Sequence, residues 1–129
     1  MISSKFILDI LDLLLDGDAE GLKVRQQLEW LTDAHYDYTG SGLFVRFSHE
    51  VNALDKRIEA DNLILNGVLI NSAELKNGAD ATLFLSNGII DYLEIWSHDG
   101  NYPYKELSNY VLNQEWINSP KRQITKNKL

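Results

Sequence analysis

Residues 96–100, Trp96-Ser97-His98-Asp99-Gly100, place a hydroxyl, an imidazole and a carboxylate side by side, with Tyr102 and Tyr104 just beyond. Two readings of this stretch stand open. In one, a strand ends at Trp96 and Asp99-Gly100 makes the turn, because both residue types tolerate turn dihedrals. In the other, Trp96, His98, Tyr102 and Tyr104 form a rim that touches a partner, since aromatics are favoured contact residues. Glu94 lies two residues before Trp96, on the strand side of Tyr92. An acid on an aromatic face can be a raised-pKa acid, a salt-bridged structural acid or a partner contact.

Other chemistry is harder to find. The histidines His35, His49 and His98 lie in no His-x-Glu-x-x-His spacing, and the chain has no cysteine. A local metal signature, a thiolate nucleophile and a disulfide are therefore missing from the sequence. Gly40-Ser41-Gly42 is not the Gly-x-Ser-x-Gly elbow that exposes a serine nucleophile, and it lacks the lysine of a phosphate-binding loop. It reads as a turn. Carboxylates are so plentiful that no pair is singled out for acid–base work. The sequence thus offers no catalytic residue, metal ligand or cofactor site. It offers a contact set: Glu94, Trp96, His98, Asp99 and Tyr102.

The elements that position these residues follow from periodicity. Ile7, Leu8, Leu11, Leu14 and Leu15 form one face of a helix over 4–15, opposite Asp9, Asp12 and Asp16. Ser3 or Ser4 caps its start, and Gly17 suits its end. Asp18 then caps a second helix over 19–34, on Val24, Leu28 and Leu31, which closes a helix hairpin. Strands follow. The first is 43–49. Residues 50–60 are a helical turn or a polar connection. Residues 62–70 are either a short Asn66-Gly67 hairpin or one strand with a glycine bulge. Residues 81–86 and 89–96 pair through Asn87-Gly88 as a type I′ hairpin. On the second of these, Ile90, Tyr92, Glu94 and Trp96 share one side and Ile89, Asp91, Leu93 and Ile95 the other. Residues 105–117 read as a last helix, with Leu107, Val111 and Leu112 inward, and 121–129 as a loose basic tail. The expected fold is α+β: an N-terminal helix hairpin, an antiparallel meander of three to four strands and a C-terminal helix, in one domain over 1–120.

Length and charge bound the partners. The 129 residues are 44% hydrophobic, enough for one core. No apolar run approaches the roughly 20 residues of a membrane span, and acids at helical spacing interrupt the opening residues where a secretory signal would be apolar. The net charge is −7. All 19 acidic residues precede residue 121 and four of the 12 basic ones follow it, so 1–120 carries −11 and the last nine residues +4. A body so acidic repels phosphate backbones and attracts a basic partner.

Two segments carry a resemblance: "YTGSGLFVRF" at 38–47 and "GADATLFLSNGIIDYLEIWSHDGNYP" at 78–103. They resemble a family of small uncharacterised bacterial proteins marked by a Thr-Gly-x-Gly-aromatic segment, a Gly-Ala strand, a Gly-centred hairpin and Leu-Glu before a loop ending in Pro. Thr39, Gly40, Gly42, Phe44, Phe47, Gly78, Ala79, Leu83, Phe84, Gly88, Leu93, Glu94 and Pro103 stand in those places. "LLLDGD" and a helix with "QQL" fit the family's opening, so the resemblance spans about residues 13–104. Ala79-Asp80-Ala81 departs from its more apolar run, as does the basic tail. The resemblance implies one fold and carries no reaction. By size, acidity and architecture the chain is also similar to bacterial immunity proteins, which neutralise a toxin by binding it. The expectation is a non-catalytic, cytoplasmic, protein-binding module of this immunity type, taking a basic protein partner and neither nucleic acid nor membrane. Its rivals are a small enzyme or ligand-binding domain with a site near Glu94 and His98, and a structural subunit that forms a homodimer.

Overall fold

A computed structural model describes residues 1–16, 19–59 and 62–127. Its elements in chain order are α1 (Lys5–Leu14), α2 (Ala19–Val24), the 3₁₀ helix η1 (Arg25–Trp30), β1 (Leu31–Tyr38), β2 (Gly42–His49), α3 (Val51–Leu54), β3 (Ile64–Asn71), β4 (Ala79–Ser86), β5 (Ile89–Ser97), β6 (Tyr110–Gln114) and β7 (Gln123–Lys126). The strands form one seven-stranded antiparallel sheet in the order β1-β2-β5-β4-β3-β6-β7.

Helix α1 forms where its pattern predicts. Ser4 Oγ accepts from the Ile7 N–H at 3.2 Å, and Phe6, Ile7, Ile10, Leu11, Leu13 and Leu14 are buried. Each such side chain contributes on the order of 1.5–3 kcal/mol through burial. Their contact is with β3, β4 and β6, whose inward residues Val68, Ile70, Ala79, Ala81, Leu83 and Leu112 are fully or almost fully enclosed. The expected end of α1 at Gly17 and the cap at Asp18 lie outside the described residues.

The expected α+β arrangement is overturned by the seven-stranded sheet. No helix hairpin forms: α2 and η1 end at Trp30, and 31–38 is the edge strand β1. Leu28 and Leu31 suit a helix in spacing, but Thr32, Tyr36 and Tyr38 are strand formers and β2 supplies a ladder for them. No C-terminal helix forms either. Leu107 and Val111 sit four apart by coincidence. The pattern that folds is Tyr110, Leu112 and Gln114, all buried and two apart, with Val111 and Asn113 on the other side. Residues 121–129, read as a loose tail, contribute β7, which pairs with β6 from Tyr110↔Lys126 to Asn113↔Gln123. Arg122 binds that end to α1, with Nη1 2.8 Å from Asp16 and Nη2 3.0 Å from Asp12.

The hairpin at Asn87-Gly88 is present. Both residues have positive φ, 53° and 78°, as a type I′ turn demands. A Cβ on Gly88 would lie 2.0 Å from the Ile58 carbonyl oxygen, so only glycine fits. Residues 64–71 take the bulged alternative: β3 is one strand whose register slips between Asn66 and Val68, around Gly67 at φ 100°. A second slip separates Phe84 from Leu85, leaving Asp91 as the extra residue of β5. This slip corrects the expected faces of β5. Ile90 is buried, whereas Tyr92, Glu94 and Trp96 remain together on the outer side.

Candidate docking face

Alternation leaves one side of the sheet bare. On β2, Leu43, Val45 and Phe47 turn inward while Phe44 and Arg46 turn outward. On β4, Thr82 and Phe84 turn outward, and on β5, Tyr92, Glu94 and Trp96. Antiparallel register aligns these residues into rows across the strands. One row runs His35, Arg46, Tyr92, Phe84, Ile64. The next runs Asp37, Phe44, Glu94, Thr82, Asn66. A third runs Gly42, Trp96, Asp80, Leu69.

Aromatic packing holds the first two rows together. Phe84 stacks on Tyr92 at 4.5 Å between centroids, Phe44 tilts against Tyr92 at 6.2 Å, and the Arg46 guanidinium lies 5.4 Å over the Tyr92 ring. Arg46 also reaches Asp91 at 3.2 Å, while Ser86 Oγ donates to the other Asp91 oxygen. Apolar surface stays in water at both ends of the face: Trp96 is 50% exposed and Ile64 57%. An open groove of about 740 Å³ runs between Arg46, Tyr92, Phe44 and the edge strand residues His35 and Asp37. Glu94 is not part of its wall.

The expected contact residues divide. Glu94 and Trp96 lie on the bare face as adjacent rows. His98 joins them through its partner: Nε2 lies 2.8 Å from Asp80 Oδ2, next to Trp96, and Nδ1 lies 2.9 Å from the Asn77 carbonyl oxygen. The Asp80 hydrogen bond, helped by that carbonyl, raises the His98 pKa above its usual value. Asp99 serves the turn, accepting from Ser97 Oγ at 2.8 Å and from the Asn101 N–H at 3.0 Å, and these bonds lower its pKa. Tyr102 lies apart from the face. It is only 4% exposed, its N–H donates to the Gly40 carbonyl at 2.8 Å, and its ring stacks with Tyr38 on the inner side of β1. Phe44, Arg46, Phe84 and Ile64 escape sequence reasoning, although outward alternation on β2 and β4 would have found the first three once the Asn87-Gly88 register was applied.

Among the described residues, no group of three or more His, Asp or Glu side chains gathers to hold a metal ion. No described helix is long and apolar enough to cross a membrane. Comparison of the chain with family models, curated proteins and solved structures finds no match.

Proposed function

We propose that the chain is a non-catalytic, cytosolic protein-binding module, an immunity-type inhibitor that captures a basic toxin domain on the bare face of its sheet. The observation that carries the reading is the aromatic patch of Phe44, Phe84, Tyr92 and Trp96 on the outward side of the sheet, with Trp96 half exposed. Exposed apolar surface ringed by polar groups is a binding signature, and a Trp with half its surface still in water is a suitable anchor for a partner. A net charge of −7 selects a basic occupant. A second copy fits less well, because Asp37 and Glu94 on the same face would meet like charges. The reading requires no cofactor.

The test is capture from host lysate at low and high salt, with Trp96→Ala and Phe84→Ala beside the unaltered chain. A single basic protein should be held at low salt, loosened at high salt and lost from both variants. Loss of one hot-spot aromatic weakens such complexes by about 30-fold or more. No partner at either salt, or a partner retained equally by both variants, overturns the reading.

A further inference from the structure

Strand β1 is an open edge of the sheet. It runs eight residues, Leu31–Tyr38, with β2 on one side only, whereas the opposite edge strand, β7, has four. The Thr39 N–H donates to the Gly42 carbonyl at 3.1 Å and closes the β1–β2 turn. Alternation from that pair turns the backbone groups of Asp37 and His35 toward β2, and those of Tyr36 and Tyr38 toward the free edge. Among the described residues, no backbone bond from outside the sheet reaches Tyr36 or Tyr38. Ser3 and Ser4 lie nearby but hold Asp33 by its carboxylate, not by its backbone. An edge that presents free N–H and C=O groups is a template for another strand.

The side chains along this edge select its occupant. His35 and Asp37 are both exposed and flank Tyr36. In an antiparallel pair of β1 with its own copy, on a two-fold axis at Tyr36, His35 stands opposite the second copy's Asp37, and Asp37 opposite its His35. At both ends of the pair an imidazole N–H then meets a carboxylate. Arg46 neighbours His35 on β2 and adds positive charge behind it. The same axis sets Tyr36 against Tyr36, whose backbone groups are the free ones, so charge and hydrogen bonding choose one register. An axis at Asp37 would instead set two carboxylates together. The bulge between Asp33 and His35 bounds the ladder at one end, and the turn after Tyr38 at the other. Pairing β1 with β7 would leave open edges and run on as a filament, whereas β1 on β1 closes at two copies.

We propose that two copies of the chain join edge to edge through β1, antiparallel about Tyr36, into one continuous sheet. Packed face to face, two copies would set Asp37 and Glu94 against like charges; joined edge to edge, Asp37 meets an imidazole. The row His35-Arg46-Tyr92 of one copy runs on into the row Asp37-Phe44-Glu94 of the second, so the bare face is extended and stays uncovered. The pairing is independent of what that face binds.

The test uses the purified full chain alone. Sedimentation equilibrium should show a mass that rises from monomer to dimer with concentration and no further. Over the same range, amide hydrogen exchange read by NMR should slow at Tyr36 and Tyr38, whose N–H groups gain acceptors only in the dimer. His35→Asp sets two carboxylates together at both ends of the pair and should weaken the dimer about tenfold. Adding Asp37→Lys to it restores opposite charges and should recover the association. Both replaced residues are exposed, so the variants fold. Added salt should tighten the dimer, because each chain carries −7. Capture of a basic partner responds to salt in the opposite sense, so the two readings fail separately. A chain that stays monomeric up to about 1 mM, a dimer that leaves exchange at Tyr36 unchanged, or a double variant no tighter than His35→Asp overturns the proposal.

Discussion

Gln27 is fully buried and clamps the hairpin that starts β5. Its Oε1 accepts from the Ile90 N–H at 2.9 Å, and its Nε2 donates to the carbonyls of Gly88 at 2.8 Å and Lys56 at 3.1 Å. Gln27→Leu keeps the volume and removes all three bonds. The consequences differ by atom. Gly88 O retains the Ile58 N–H at 3.1 Å, and Lys56 is exposed enough for water to replace the amide. The Ile90 N–H is orphaned in the interior. One orphaned donor costs about 1–3 kcal/mol and each lost bond about 1 kcal/mol, which together predict a loss of about 3 kcal/mol. That is a large share of the roughly 5–15 kcal/mol available to a domain and lowers Tm by about 10 °C at this size. Urea unfolding followed by tryptophan fluorescence should show a lower midpoint at unchanged slope, and hydrogen exchange at Ile90 should accelerate. Gln27→Glu provides a check of sign. A buried carboxylate facing two carbonyls has a raised folded-state pKa, so the variant should regain stability as pH falls through that value and lose it as pH rises. A loss below about 1 kcal/mol in Gln27→Leu, with Ile90 exchange unchanged, would refute the clamp.

The remaining predictions concern charge. Asp12 and Asp16 both titrate below the ordinary value of 3.8: at Asp12 burial, which alone would raise it, is outweighed by Arg122 and Arg25, and at Asp16 the Arg122 bond dominates. Lowered carboxylate pKa values contribute stability that is present above the ordinary value and lost as pH falls through the folded ones. Arg122→Gln should therefore cost about 1 kcal/mol at neutral pH, an amount set by its solvent exposure, and flatten the acid limb of the urea midpoint; an unchanged limb would exclude the clasp. The raised His98 pKa works in the opposite sense: its contribution is full below the ordinary 6.5 and disappears as pH rises through the folded value. NMR titration of the His98 ring should give a midpoint above 6.5 that falls in Asp80→Asn, and a midpoint indifferent to that change would remove Asp80 as its cause.

Helix α1 and the Asn87-Gly88 hairpin were legible because each is specified locally, by a capped 3.6-residue stripe in one case and by turn dihedrals in the other. The segments 31–38 and 110–114 were not. Leu28, Leu31, Leu107 and Val111 satisfy helical spacing, and only a neighbouring strand's hydrogen bonds decide against it. The β2–β5 and β3–β6 pairings join residues far apart in the chain, such as Val45↔Leu93 and Ile70↔Leu112, which no local pattern encodes. Trp96 and Glu94 were legible as neighbours on one side of the strand because alternation persists beyond the bulge at Asp91. Tyr102 was placed with them by sequence proximity, whereas the loop after Ser97 carries it across the strand end to Tyr38.

Helix α1 precedes in the chain every strand it packs against. Its partners are strands that emerge 50 to 120 residues later, and its polar flank waits longest: Asp9 for the Tyr110 hydroxyl, the Leu13 carbonyl for Gln114, Asp12 and Asp16 for Arg122. During synthesis, the six buried apolar side chains of α1 therefore lack their full set of partners until β3, β4 and β6 have all emerged. Apolar surface exposed in a partly made chain is open to wrong association, and Asp9, Asp12 and Asp16 set negative charge beside that stripe.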